Sequence, residues 1–158
     1  MKTKLTFRNI IIMCFIPATI CFSIKPLYAE TAPIMNKGKK WRIGYYEGGA
    51  YSNYVWTMET LIKGLMDLGW IEKKPLPKFE GDSIKPYWNW LVNHPARFLS
   101  FEAGDAYSAE WDEKKREKIK KELIRKLKSK SLDLVIAMGT WAGQDLANNL
   151  HSVPTIVL

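Results

Sequence analysis

Cysteine is absent from most of this 158-residue chain: its two cysteines, Cys14 and Cys21, both fall in the first 29 residues. The body therefore has no disulfides to staple it and must be held by packing. Histidine is almost as scarce. His94 precedes a proline and His151 follows a helical stretch, and two histidines so placed give no metal-ligand spacing, so surface or packing roles are expected. Gly48-Gly49 is not followed by the Gly-Lys-Ser/Thr that a phosphate loop requires. No trio of nucleophile, base and orienting group stands out. Glu102 and Asp105 are close in sequence, but two acids alone do not make a glycosidase site. No internal repeat or low-complexity tract occurs. The expectation is a protein that is not an enzyme and holds no cofactor and no metal.

Long hydrophobic runs are also missing. The longest apolar stretch, Ile10 to Ile24, has 15 residues, short of the roughly 20 that span a bilayer. Lys2, Lys4 and Arg8 precede it, Lys25 and Pro26 end it, and Leu27-Tyr28-Ala29 reads as a signal-peptidase site. Residues 1–29 are thus expected to be a cleavable export signal, which implies a periplasmic location. Cys21 follows a bulky Ile20, which is wrong for a lipid-anchor site. Four of the 24 basic residues and none of the 16 acidic ones lie in this leader, so the net charge falls from +8 to +4. That mild balance is no argument for a nucleic-acid partner.

What remains is 129 residues, enough for one small domain. Residues 30–40 are a polar, flexible lead-in. Trp41 to Tyr46 reads as the first strand, and Glu47-Gly48-Gly49-Ala50 as a loop, with Ser52 or Asn53 capping the helix that follows. Val55, Met58, Ile62, Leu65 and Met66 recur at helical spacing, and Gly69 is a natural stop. Residues 70–96 hold Pro75, Pro77, Pro86 and Pro95, which deny a long central strand. They also carry Phe79, Tyr87, Trp88 and Trp90, too aromatic for a disordered linker. An ordered flap packed on the domain is expected, with a short helix from Tyr87 to Val92.

Arg97 to Glu102 alternates as a second strand, and Gly104 to Ser108 reads as a loop. Ser108 or Asp112 caps a helix reaching about Lys130, with Ile119, Leu123, Ile124 and Leu127 as its apolar stripe. Its dense charge is expected to form a solvated face, with Lys and Arg favouring its C-terminal dipole. Leu134 to Ala137 is an unbroken apolar run, as in a strand covered on both faces. Gly139 and Thr140 break it, Trp141 to Leu150 forms a short helix presenting Ala142, Leu146 and Leu150, and Val153 to Leu158 is another buried strand. The whole reads as an α/β protein with a doubly wound parallel sheet.

In such sheets ligands sit beyond the carboxyl ends of the strands. Two strand-to-helix loops, Glu47 to Ser52 and Gly139 to Gly143, should open there side by side. Each leads into a helix N-terminus, where unpaired N–H groups and the helix dipole favour an anion such as a carboxylate. Glu47 could hold an ammonium. Tyr51 and Trp141 offer aromatic faces to a flat or cationic ligand. Together they would suit a zwitterionic, amino-acid-like solute.

Trp41 to Gly49, the helix ending at Gly64-Leu65-Met66-Asp67-Leu68-Gly69-Trp70, and above all Asp133 to Ala142 resemble one family. That family is the periplasmic substrate-binding proteins of ABC transporters, in the branch related to tryptophan and aromatic-amino-acid binders. Val153-Pro154-Thr155-Ile156-Val157 resembles its next strand. The likeness implies the incomplete first lobe of a two-lobe fold, with solute held between lobes and a membrane permease as partner. It implies ligand contacts at Glu47, Gly48, Gly49, Tyr51, Gly139, Thr140 and Trp141, and a full-length monomer. The flap is longer than the family's link. Leu158 falls where the family continues, so the chain is expected to be a piece of a longer protein. The alternative expectation is the extracytoplasmic ligand-sensing domain of a receptor.

Overall fold

Four strands lie side by side in the order β2-β1-β3-β4, every neighbouring pair parallel, in a computed structural model that describes residues 32–94 and 96–158. The expected leader, its cleavage point and Pro95 lie outside the described residues. In chain order the elements are β1 (Trp41–Glu47), α1 (Ser52–Asp67), α2 (Lys85–Asn93), β2 (Leu99–Ser108), α3 (Glu113–Lys128), β3 (Leu134–Met138), α4 (Gly139–Leu146) and β4 (Thr155–Val157). The first crossover steps from β1 to one side of the sheet; the later ones step to the other. Right-handed crossovers then force helices onto opposite faces.

The side chains follow that rule. Ile43 and Tyr45 of β1 and Ile136 and Met138 of β3 pack with α1 and α2; Tyr46, Val135 and Ala137 point the other way, against α3 and α4. Covered on both sides, β1 and β3 need apolar residues at consecutive positions. The fold is thus α/β with a doubly wound parallel sheet, as the sequence predicts. Residues Thr31–Leu158 form one compact unit.

Helix α1 buries Met58, Ile62 and Met66, with Val55 and Leu65 half-buried at the flanks. It ends at Gly69, whose φ of +77° suits glycine. There the Gly69 N–H bonds Met66 C=O (3.1 Å) and the Trp70 N–H bonds Leu65 C=O (2.9 Å), closing the helix end. Its start differs from expectation. Tyr51, extended, is the N-cap and no side chain caps it, so Ser52 and Asn53 are simply the first helical residues.

The flap packs as expected, around a helix that starts two residues earlier and ends one residue later than predicted: Lys85 to Asn93, with Pro86 tolerated in the first turn. Tyr87, Trp88 and Leu91 are buried. Trp88 contacts Tyr45 and Phe101 edge-on or tilted, with centroids 5.9 and 5.5 Å away. Its indole N–H donates to Glu102 C=O at 2.9 Å.

That bond marks a second correction. Strand β2 continues to Ser108, where a loop was expected. Ile43 pairs with Phe101 and Tyr45 with Ala106, so Glu102 to Asp105 are spare residues opposite a single residue of β1. Gly104 and its polar neighbours form an irregularity inside the strand, and they look like a loop in the sequence for that reason.

Helix α3 is capped by Asp112, whose carboxylate accepts from the Lys115 N–H at 2.8 Å; Ser108 plays no part in that cap, and the helix stops at Lys128. Strand β4 is the third correction. It was expected to be buried and six residues long, but only Thr155–Val157 pair, and Ile156 and Val157 are exposed at the edge of the sheet. An apolar cavity of 310 Å³ opens beside it on the α1 face, lined by residues including Trp41, Met58, Leu65, Trp70, Ile136 and Ile156.

Candidate functional site

The strand order reverses between β1 and β3, and the crevice beyond their carboxyl ends is where open α/β sheets place ligands. Glu47 pairs with Met138 on one side and Ser108 on the other, so three strands end level. The turn at Gly48-Gly49 and the start of α4 therefore emerge side by side. Gly48 shows how close they come: a Cβ there would lie 3.1 Å from Trp141 Cβ.

The expected loop from Gly139 to Gly143 does not exist. Gly139 has φ +78°, and this left-handed step lets β3 turn directly into α4, which ends at Leu146 rather than Leu150. Ala142 and Leu146 are buried as predicted; Leu150 is exposed. The Gly139 N–H donates to Leu158 C=O at 2.8 Å, so the first donor of the helix is already used by the last residue. Thr140 is exposed and Trp141 half-buried. Neither α1 nor α4 has a side-chain cap, in contrast to α3.

Glu47 does not stand open to solvent. It is 3% exposed. Tyr45 Oη donates to its Oε2 at 2.7 Å. Burial pushes its carboxyl above the usual range, opposed by hydrogen bonds from Tyr45 and Ser108 and by the charge of Lys85. Burial, with Glu47 beside it, likewise drives Tyr45 up. Glu47 is thus a buried group bonded to Tyr45, with burial holding its carboxyl above the usual range, rather than an open carboxylate awaiting an ammonium.

A folded-state pKa raised above the unfolded value gives stability that is present at low pH and lost as pH rises through the folded value. Glu47→Gln should therefore flatten the fall in stability as pH rises above the ordinary glutamate value of about 4.3, measured by urea denaturation at a series of pH values. An unchanged slope would refute the burial argument.

The residue that sequence reasoning missed is Trp111. It follows β2, in a stretch whose sequence reads as ordinary polar lead-in to a helix. Glu110 and Trp111 both adopt left-handed backbone, at φ +51° and +58°, which is uncommon for a bulky residue. The Trp111 N–H bonds Gly48 C=O at 2.7 Å, tying this loop to the one after β1. Its ring then lies over the paired glycines. A Cβ at Gly49 would be 2.5 Å from Trp111 Cδ1, and at Gly48 2.8 Å from its Cζ3. The glycines are required by this close approach as much as by turn geometry. The indole N–H donates to Ala50 C=O at 3.2 Å.

Trp111 meets Trp141 edge-on, with centroids 5.5 Å apart. Arg116 lies over Trp141 at 4.6 Å. Tyr51 is about half exposed and rests edge-on against Tyr54, with centroids 5.3 Å apart. The Tyr54 hydroxyl in turn fills the place a side chain at Gly139 would need. Of the seven expected residues, six thus gather on one edge around an aromatic wall, and the seventh, Glu47, lies beneath it. None of them lines the apolar cavity on the α1 face.

The two histidines tie loops down. His94 stacks on Trp90 with centroids 4.2 Å apart, and its Nε2 lies 3.0 Å from Glu72 C=O. His151 Nε2 lies 2.9 Å from Leu146 C=O. Among the described residues no group of His, Cys, Asp and Glu could hold a metal, and no helix is long and apolar enough to cross a membrane. Comparison with protein-family models, curated proteins and solved structures finds no match to this chain.

Proposed function

We propose that this chain is the first-lobe part of an extracytoplasmic solute-binding component of an ABC-type uptake system, exported to the periplasm. It captures a small amino-acid-like solute, with an aromatic amino acid as the leading class. The observation that carries the reading is the joint emergence of the Gly48-Gly49 turn and the uncapped start of α4 at the point where the strand order reverses. The uncapped helix starts suit the solute's carboxylate. Tyr51, Trp111 and Trp141 suit a flat or cationic group. Function is then capture rather than catalysis: solute bound to this wall favours closure of an opposing lobe, and a membrane permease recognises the closed state.

A single wall buries little of a ligand. Binding of L-tryptophan or L-phenylalanine by this chain alone is therefore expected at about millimolar affinity, roughly 4 kcal/mol. The indole N–H resonances of the seven tryptophans provide the test. On titration with L-phenylalanine, the Trp111 and Trp141 signals should shift together while that of buried Trp88 stays still. No shift at tens of millimolar (roughly tenfold above the expected affinity), or shifts confined to Trp41 and Trp70 at the apolar cavity, would overturn the proposal.

A further inference from the structure

Helix α3 sorts its cations into two sets. Arg116 and Lys120 reach inward to Asp145, at 2.9 and 3.3 Å, and Lys126 reaches Asp105 at 2.8 Å. Lys115 pairs with Glu110 at 2.5 Å. The other set is Lys114, Lys118, Lys121, Arg125 and Lys128, all exposed. None of these five has an ion-pair partner among the described residues.

The five recur at spacings of four, three, four and three residues, which puts them on one face of the helix. At 1.5 Å per residue the stripe runs about 21 Å. Glu117 is the one acid on that side; Glu113 pairs with Arg116, and Glu122 accepts from Tyr107 Oη. Leu123 and Leu127 are buried on the opposite face, so the helix is anchored with the stripe turned to solvent.

We infer that the outward face of α3 docks the protein on an anionic phospholipid bilayer surface. A straight, convex row of cations meets a plane along its whole length, whereas the phosphates of a duplex curve away from it. Four of the five are lysines, hydrated point charges suited to diffuse attraction and not to the bidentate contacts by which arginine reads nucleic acid. No aromatic side chain interrupts the stripe to stack on a base. This surface is separate from the strand-end site and stands whether or not a solute binds there.

Vesicle co-sedimentation tests it with the full chain. Three proteins are compared on phosphatidylglycerol–phosphatidylcholine vesicles and on pure phosphatidylcholine: wild type, Lys118→Gln/Lys121→Gln/Arg125→Gln, and Lys73→Gln/Lys74→Gln/Lys78→Gln. Residues 1–31 are common to all three, so their contribution cancels in the ratios. Each cation near such a surface is worth about fivefold in partitioning, so the stripe variant should partition about 100-fold more weakly on anionic vesicles. The flap variant, with the same change in net charge, should stay within about threefold of wild type. Circular dichroism checks that helix content is unchanged.

Equal losses in the two variants, no loss in the stripe variant, or no preference for phosphatidylglycerol would overturn the inference. So would stripe-dependent binding to duplex DNA without binding to vesicles, which would make the face a nucleic-acid surface instead.

Discussion

Asp145→Ala should lower the unfolding free energy by about 3–5 kcal/mol, the largest single-residue effect expected outside the aromatic core. Asp145 is 1% exposed. Its two oxygens accept from Arg116 Nε and Nη2 at 2.9 and 3.0 Å, and Tyr46 Oη donates to it at 3.1 Å. Lys120 adds a fourth contact at 3.3 Å. Removing the carboxylate leaves two cations facing each other and a buried phenol without an acceptor, and it is this abandonment that costs so much. A typical domain has only about 5–15 kcal/mol in total, so the shift in urea midpoint should be unmistakable. A loss under about 1 kcal/mol would show that the network is solvated after all.

The same network sets an acid limb. Burial pushes the Asp145 carboxyl up, but the bonds from Arg116, Lys120 and Tyr46 outweigh it and hold the group below its usual value. A depressed folded-state value gives stability that is present above the unfolded pKa, about 3.9, and lost as pH falls through the folded one. Wild type should therefore lose stability on acidification below about pH 4, and Asp145→Ala should lack that part of the loss. This limb runs opposite to that of Glu47, which weakens the fold as pH rises.

Gly139→Ala should be the next most damaging change, at about 2–4 kcal/mol. Two costs combine. The backbone sits at φ +78°, where an L side chain is strained, and the added methyl falls on the Tyr54 hydroxyl. Tyr54→Phe in the same chain removes the hydroxyl but leaves ring carbon Cζ 2.7 Å from the new methyl, and the backbone strain with it, so it should restore only part of the loss. Gly64→Ala provides the contrast. It lies inside α1 with nothing within 4 Å of the new methyl, and should raise stability by roughly 0.5–1 kcal/mol. Urea denaturation of the three variants checks both signs.

These positions show what could be read in advance. β1, α1, α3 and β3 were legible because their burial is one-dimensional: periods of 3.6 in Met58-Ile62-Met66 and Leu123-Leu127, and an unbroken run in Leu134 to Ala137, which the strand extends by one residue. The adjacency of the two strand-end turns was legible because parallel strands leave few arrangements. What failed depends on contacts distant in sequence. Gly104 and Asp105 read as a loop, since nothing local tells a strand irregularity from a turn. Gly139 read as a break because its left-handed backbone is the means by which β3 passes without a loop into α4. Glu47 read as an open charge; Tyr45 buries it from two residues away. Trp111 carried no pattern at all, and only the fold reveals that its ring closes over glycines some sixty positions earlier.

The outer margin of β4 has a practical consequence. Thr155 to Val157 contains no charge to repel a second copy of itself, and Ile156 and Val157 stand 45% and 48% exposed. An exposed, uncharged peptide margin of this sort is a template for lateral stacking. Among the described residues, this side of the sheet is therefore a place where purified copies should associate, even though the surface elsewhere is rich in charge.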